Sequence, residues 1–179
     1  MNIFVLSTGR CGTVTFNKAC EHIMNYTSSH ESKAHLFGYK RFEFPDNHIE
    51  IDNRLSWFLG DLDKKYGDDA YYVHLVRKDA KVAKSFLKRW NYGIIQSYHN
   101  GIISGIHKNN EYDKFDVCLS YCKTVNNNIN MFLKDKTKSI KINIDNPKDN
   151  FITFCNIIGA NVDINKSISE FDVIYNQSK

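Results

Sequence analysis

The chain begins with a short apolar run, Ile3 to Leu6, that stops at Ser-Thr-Gly. A continuous apolar run ended by turn residues predicts a strand buried on both faces. From Thr13 to about Met24 the pattern becomes helical, with Val14, Phe16 or Asn17, Cys20 and Ile23–Met24 near one side. "NYTSSH" (Asn25–His30) predicts a short second strand, and residues 31–47 follow with no clean period, as a loop-rich excursion. "HIEID" (His48–Asp52) alternates like a strand. Asp52 or Asn53 then caps a helix through "RLSWFLGDLDKKYG", where Leu55, Phe58–Leu59 and Leu62 share a face.

"AYYVHLV" (Ala70–Val76) is the second strong strand, again apolar almost throughout. "KDAKVAKSFLKRW" predicts a basic amphipathic helix with Val82, Phe86 and Trp90 four apart. Residues 92–106 carry two Gly-Ile-Ile stretches, too short a repeat for a solenoid, and "FDVCLSYCKTVNNNINMFLK" predicts a long helix. "SIKINID" (Ser139–Asp145) alternates as a strand, and "NPKDNFITFCNIIG" reads as a helix with Asn146 as cap, Pro147 in its first turn and Gly159 as stop. Strands alternate with helices, and the strongest strands are apolar on both faces. That predicts an α/β fold of three layers: a mainly parallel central sheet flanked by helices, P-loop-like, as one domain over residues 1–179. Ligands in such folds bind at the carboxyl ends of the strands.

Composition narrows the class. Of 179 residues, 42% are hydrophobic and 25% charged, which is ordinary for a globular protein. The formal charge of +4 suits an anionic ligand but falls short of a nucleic-acid-binding signature, and no run of five basic residues occurs. No basic leader precedes the first apolar run, and no stretch approaches the roughly eighteen apolar residues of a membrane span, so a cytoplasmic protein is expected. The five cysteines, Cys11, Cys20, Cys118, Cys122 and Cys155, are odd in number and scattered, which argues for reduced buried thiols rather than disulfides. Cys118 and Cys122 would need two further ligands to hold a metal, and none is offered at metal-site spacing, so no metal is expected.

The opening turn, "STGRCGT", joins a buried strand to a helix start. Free backbone N–H groups and the helix dipole favour an anion at such a place. Gly9 and Gly12 allow close approach, Thr13 offers a hydroxyl and Arg10 a fixed charge. The Walker A pattern fails: counting from Gly9 the second glycine falls on Val14, and counting from Gly12 it falls on Asn17. No lysine cradles a β/γ-phosphate, which disfavours ATP or GTP hydrolysis. A second signal lies at "YYVHLVRKDAKVAKSFLKRW". Arg77 ends the second strong strand, and Ser85 follows eight residues on within the next helix, so an arginine fork and a hydroxyl can hold a second phosphate at the same sheet edge.

Taken together, these segments resemble the sulfotransferases that use 3′-phosphoadenosine 5′-phosphosulfate (PAPS), in their compact, arginine-loop form. The resemblance implies that Arg10-Cys11-Gly12-Thr13, with Thr8, Gly9 and Val14 beside it, holds the 5′-phosphosulfate, and that Arg77 and Ser85 grip the 3′-phosphate. "IKINIDNPKDNFITFCNIIG" is similar to the family's late strand, acidic turn and helix. Two features of the larger cytosolic members are missing: Val14 and Thr15 stand where an aromatic ring stacks on adenine, and no glycine-rich C-terminal loop is visible.

The implied reaction is in-line sulfuryl transfer, in which a cation at the bridging oxygen stabilises the transition state. Arg10 takes that role. Glu31 is the first choice of general base, at the end of the second strand and 21 residues after Arg10, a distance similar to that in family members with a glutamate base. His30 adjoins it but points to the opposite face if the strand persists. Members with a histidine base direct attention to His48, Glu50 or Asp52. His74, inside an apolar strand, is expected to be a satisfied core residue. Tyr92, Tyr98, His99 and Trp57 are candidates for an acceptor wall at spacings equally typical of core. The acceptor is a small molecule or glycan, with carbohydrate, lipid headgroup, metabolite and peptide tyrosine all compatible. The competing readings are a P-loop-like nucleotide kinase or nucleotide binder, with "INID" (Ile142–Asp145) as a Walker B mimic, and an inactive anion-binding module using Lys78, Lys81, Lys84, Lys88 and Arg89.

Overall fold

A computed structural model of the protein describes residues 1–105, 112–173 and 175. Ile106, the last residue of the 92–106 segment, lies outside them. Five strands, β1 (Ile3–Leu6), β2 (Thr27–His30), β3 (His48–Ile51), β4 (Tyr71–Val76) and β5 (Ser139–Asn143), form one sheet in the order β2-β3-β1-β4-β5. All four strand pairings are parallel. The apolar run of β1 takes the centre, with Ile3 opposite Ile49 on one side and Tyr71 on the other, and every β1 residue is buried. β2 and β5 occupy the edges and are partly exposed.

Parallel strands need crossovers, and right-handed crossovers in both directions from β1 cover both faces. One layer holds α1 (Thr13–Cys20), α6 (Lys148–Ile157) and α7 (Ile164–Ser169), where the Phe16 ring meets Phe151 and Phe154 at 5.5 and 5.7 Å. The other holds α2 (Leu59–Tyr66), α3 (Asp79–Leu87) and α5 (Lys114–Leu133). There Phe4 packs on Tyr66 at 4.7 Å, Tyr72 on Phe132 at 5.0 Å, and Phe86 on Tyr121 at 5.0 Å. Adjacent residues of β4 reach opposite layers: Tyr72 faces α5, while Tyr71 faces Phe154 of α6. A short helix α4 (Gly93–Ser97) continues into a π-helical turn, Tyr98–Ser104.

The three-layer α/β architecture is thus as the periodicity predicts, and several boundaries differ. α1 ends at Cys20, and Ile23 leaves it to form an isolated antiparallel bridge with Val162. The helix expected from residue 54 is interrupted: Asn53–Trp57 is a 3₁₀ turn, Phe58 is non-helical (φ −126°), and α2 starts at Leu59. Asp52 caps the 3₁₀ turn, accepting from the Arg54 N–H at 2.7 Å. Gly159 stops α6 with φ +63°, a left-handed conformation that glycine adopts without steric cost.

All five cysteines are free and buried. Burial pushes the Cys11 and Cys118 thiols up to about 11 and Cys155 to about 12. With so little thiolate and no access, an aromatic disulfide reagent at pH 8 is expected to label none of the five rapidly in the native protein and all five in guanidinium. Fast native labelling would contradict the burial described.

Candidate functional site

The turn between β1 and α1 is strained and tightly anchored. Gly9, Arg10 and Gly12 have φ of +79°, +57° and +77°. Arg10 is the only one of the three with a side chain, and a left-handed arginine costs energy that surrounding contacts must offset. A Cβ on Gly12 would lie 2.7 Å from Ile144 Cγ1, so both conformation and space require glycine. The anchors come from below. The Tyr121 hydroxyl donates to the Thr8 carbonyl at 2.8 Å, Ser56 Oγ donates to the Ser7 carbonyl at 3.0 Å and accepts from the Ser7 N–H at 3.2 Å. Thr8 Oγ1 lies 2.9 Å from Cys11 Sγ, and both side chains are buried. Thr8 and Cys11 therefore turn inward and present no side chain to solvent, whereas Gly9, Arg10, Gly12, Thr13 and Val14 line a cleft.

The cleft has a volume of about 980 Å³ and opens over the carboxyl ends of the strands. The end of β2 contributes His30 and Glu31, and the turn after β3 contributes Asn53 and Arg54. Arg77 comes from the end of β4, and Lys84, Ser85, Lys88 and Arg89 come from α3 and the residues just beyond it. Ile144–Lys148 and the C-terminal residues Phe171–Val173 and Tyr175 complete it. Its lining carries seven arginines and lysines against three carboxylates, Glu31, Asp145 and Asp172, which favours an anionic ligand.

Two segments far apart in sequence meet here. Arg10 Nε donates to Ser85 Oγ at 3.0 Å, and Arg77 Nη1 reaches the Arg10 carbonyl at 3.5 Å. Burial, and then the nearby Arg89, lower the Arg10 pKa, so the side chain sits in a cation-rich, partly desolvated place. Arg77 Nε is covered and makes no hydrogen bond, with Asp145 Oδ1 3.7 Å away; Arg89 Nε is likewise covered and makes none. Lys81 holds Asp145 at 2.8 Å.

Glu31 pairs with Arg54. The condition on which His30 would point away from Glu31 is not met. The strand ends there because Glu31 adopts φ +52°, so the two side chains do not point to opposite faces. Both line the cleft, and His30 Nε2 lies 3.0 Å from Thr13 Oγ1. Burial lowers the His30 pKa, leaving the imidazole neutral at pH 7.

The other candidate bases lie elsewhere. β3 is buried throughout, so "HIEID" does not alternate between core and solvent. His48 bonds Thr27 at 2.7 Å and Glu50 at 3.1 Å, and Glu50 accepts from the Ser32 N–H and hydroxyl at 2.8 and 2.6 Å. Asp52 is held by Arg41 at 3.1 Å. None of His48, Glu50 and Asp52 lines the cleft. His74 is a buried residue bonded to Asn126 at 3.1 Å, as expected of core. Trp57 and Tyr98 pack against Tyr121, and His99 against Trp90, leaving Tyr92 alone of the four aromatic candidates in the cleft wall. Sequence reasoning passed over Arg54, Asn53, Phe171 and Tyr175. Arg54 and Asn53 sit just after a strand end, a position that signals the ligand edge, whereas nothing in the sequence draws the C-terminal aromatics to it.

Compared with known proteins, the fold is similar to a solved structure, the sulfotransferase domain from the curacin biosynthetic pathway. The TM-score is 0.65 at 12% identity, over 96% of this chain and 78% of that one. At that identity the likeness is one of fold. No family model and no curated protein matches the sequence. Among the described residues, no helix is long and apolar enough to cross a membrane.

Proposed function

We propose that this chain is a sulfotransferase that moves the sulfuryl group of PAPS to a hydroxyl or amine. The observation that carries the reading is the meeting of Arg10, Ser85 and Arg77 at one sheet edge, beside a glycine turn that opens a helix. The residues present suit such a donor. Two covered guanidinium N–H groups, on Arg77 and Arg89, have no hydrogen-bond partner in a cleft with excess positive charge, and phosphate oxygens would satisfy them. The likeness of fold to a sulfotransferase domain supports the same reading.

When bound, PAPS supplies a sulfuryl group whose bond to the 5′-phosphate oxygen breaks, leaving the electron pair on that oxygen, as the acceptor oxygen bonds to sulfur. The chain's own residues divide the remaining work. Arg77 and Ser85 bind the 3′-phosphate. The loop N–H groups, Thr13 and Arg10 face the phosphosulfate, and Arg10 stabilises charge as it develops on the phosphate oxygen. Val14 lines the wall where larger relatives carry an aromatic ring, and Phe171 and Tyr175 offer aromatic surface in the same cleft. Glu31 takes the acceptor's proton, and Arg54 holds its carboxylate in place. His30, neutral, orients the Thr13 hydroxyl. Buried reduced thiols agree with a cytoplasmic setting.

Calorimetric titration with 3′-phosphoadenosine 5′-phosphate, beside ATP–Mg²⁺, tests the reading. Binding is expected without metal and with preference over ATP. Arg77→Ala is expected to weaken it by about ten- to a hundredfold, as loss of a charge-assisted contact does. Preference for ATP–Mg²⁺, or an unaffected Arg77→Ala variant, would sink the proposal.

A further inference from the structure

We infer that the acceptor is a neutral polyhydroxylated alcohol of carbohydrate type, bound over the ends of β2 and β3; this rests on the sulfotransferase reading above. In-line displacement places the acceptor on the side of sulfur opposite the leaving phosphate. Arg77 and Ser85 assign the nucleotide to the β4 side of the central strand. The acceptor therefore approaches from the other side, where the sheet runs through β3 to β2.

That half of the cleft is built of four polar side chains: His30 and Glu31 at the end of β2, and Asn53 and Arg54 after β3. No aliphatic or aromatic lining residue comes from either strand end. Val14, in the first turn of the helix α1 that packs on β2, is the aliphatic residue beside them; the rest of the apolar lining, such as Phe86, Ile94 and Ile144, belongs to the β4 and β5 side, with Phe171 from the C-terminal segment. A steroid alcohol, a planar phenol or an alkanol would offer the Glu31–Arg54 pair only its one reacting hydroxyl and would cover the Arg54 guanidinium and the Asn53 amide without hydrogen-bonding to them, an uncompensated desolvation. Adjacent hydroxyls on one ring match it: one donates to the carboxylate, the next accepts from the guanidinium, and the Asn53 amide does either.

The pair is also neutral as a unit and fixed in position. The Glu31 N–H donates to the Ile51 carbonyl at 3.0 Å, and the Arg54 N–H donates to Asp52 at 2.7 Å, so the end of β3 holds both. Glu31 opposes a carboxylate on the acceptor, and Arg54 opposes an ammonium. A neutral polyol meets neither objection.

The test begins with the protein saturated with 3′-phosphoadenosine 5′-phosphate. Maltose, cellobiose and trehalose are titrated calorimetrically, beside 2-naphthol and 1-decanol, and the same five compounds are offered as acceptors with sulfur-labelled PAPS. At least one sugar is expected to bind and accept label with a higher kcat/KM than either apolar alcohol. Arg54→Ala is expected to raise the sugar KM at least tenfold while nucleotide affinity stays within twofold, with partial recovery in Arg54→Lys. Preference for 2-naphthol or 1-decanol overturns the inference. So does nucleotide binding with no sugar binding, and so does an Arg54→Ala variant whose nucleotide affinity falls as much as its sugar KM rises. Failure to bind the nucleotide at all strikes the sulfotransferase reading itself and is seen separately, in the first titration.

Discussion

An Arg41→Ala variant is expected to lose about 3–5 kcal/mol of folding stability, enough to threaten folding at physiological temperature. Arg41 and Asp52 form an ion pair at 3.1 Å with side chains only 8% and 3% exposed. Arg41 also donates to the Ala34 carbonyl at 2.7 Å and lies over the Phe58 ring at 4.8 Å. Removing the guanidinium strands a carboxylate in the interior. The pair itself is not strongly favourable, because burial outweighs both the Arg54 N–H and Arg41 and pushes Asp52 up to about 6 from its ordinary 3.8. A double replacement, Arg41→Met with Asp52→Leu, is therefore expected to lose less than Arg41→Ala alone. Chemical denaturation of the three proteins decides it, and a double variant worse than the single would refute the argument. The linkage has a defined sign. Because the folded pKa lies above the unfolded one, the stability contributed by Asp52's own titration is full below about 3.8 and is lost as pH rises through about 6. Asp52→Asn should flatten the stability profile across that window.

Gly12→Ala is the second large effect, at about 2–6 kcal/mol. Holding a residue with a Cβ in the left-handed region costs about 1–3 kcal/mol, and forcing atoms into a filled space about 1–3 more. The added carbon would meet Ile144 Cγ1 at 2.7 Å. The two causes are separable. Ile144→Ala in the Gly12→Ala background removes the overlap but leaves the backbone strain, so part of the loss is recovered beyond what Ile144→Ala itself costs. A double-mutant cycle by thermal or urea unfolding measures that coupling. Strict additivity would mean that Ile144 is not what excludes the side chain. Because Gly12 and Ile144 both line the cleft, anion affinity should fall with stability in the single variant.

Elements whose local chemistry agreed with their tertiary place were readable from the sequence. Ile3–Leu6 and Tyr71–Val76 are apolar because both faces of a central parallel strand are covered, and Gly9 and Gly12 mark a turn that needs left-handed backbone. Arg77 and Ser85 could be placed at one edge of the sheet, where both line the cleft, because strand ends and helix turns fix positions over short spacings. The misreadings share a cause, which is that a side chain's partner lay far away in sequence. His48 and Glu50 look like the solvent side of an alternating strand, yet they satisfy each other, with Thr27 and Ser32, beneath a covered face. The direction of His30 turned on the left-handed backbone at Glu31, which no glycine announces. The contact of Arg10 with Ser85, and of Glu31 with Arg54, required the sheet order, and strand order is not written in local periodicity.

The anchoring of the opening turn has a thermodynamic consequence for whatever binds there. Tyr121, Ser56 and the Ser7 hydroxyl fix the Ser7–Gly9 backbone from the interior, and Thr8 and Cys11 fasten its far side. The entropy of ordering that turn is thus lost once, when the chain folds, and not again at each encounter with a ligand. An anion held there, as proposed above, would meet a turn already in place, so its affinity would reflect the contacts it makes, undiminished by the cost of organising the loop to make them.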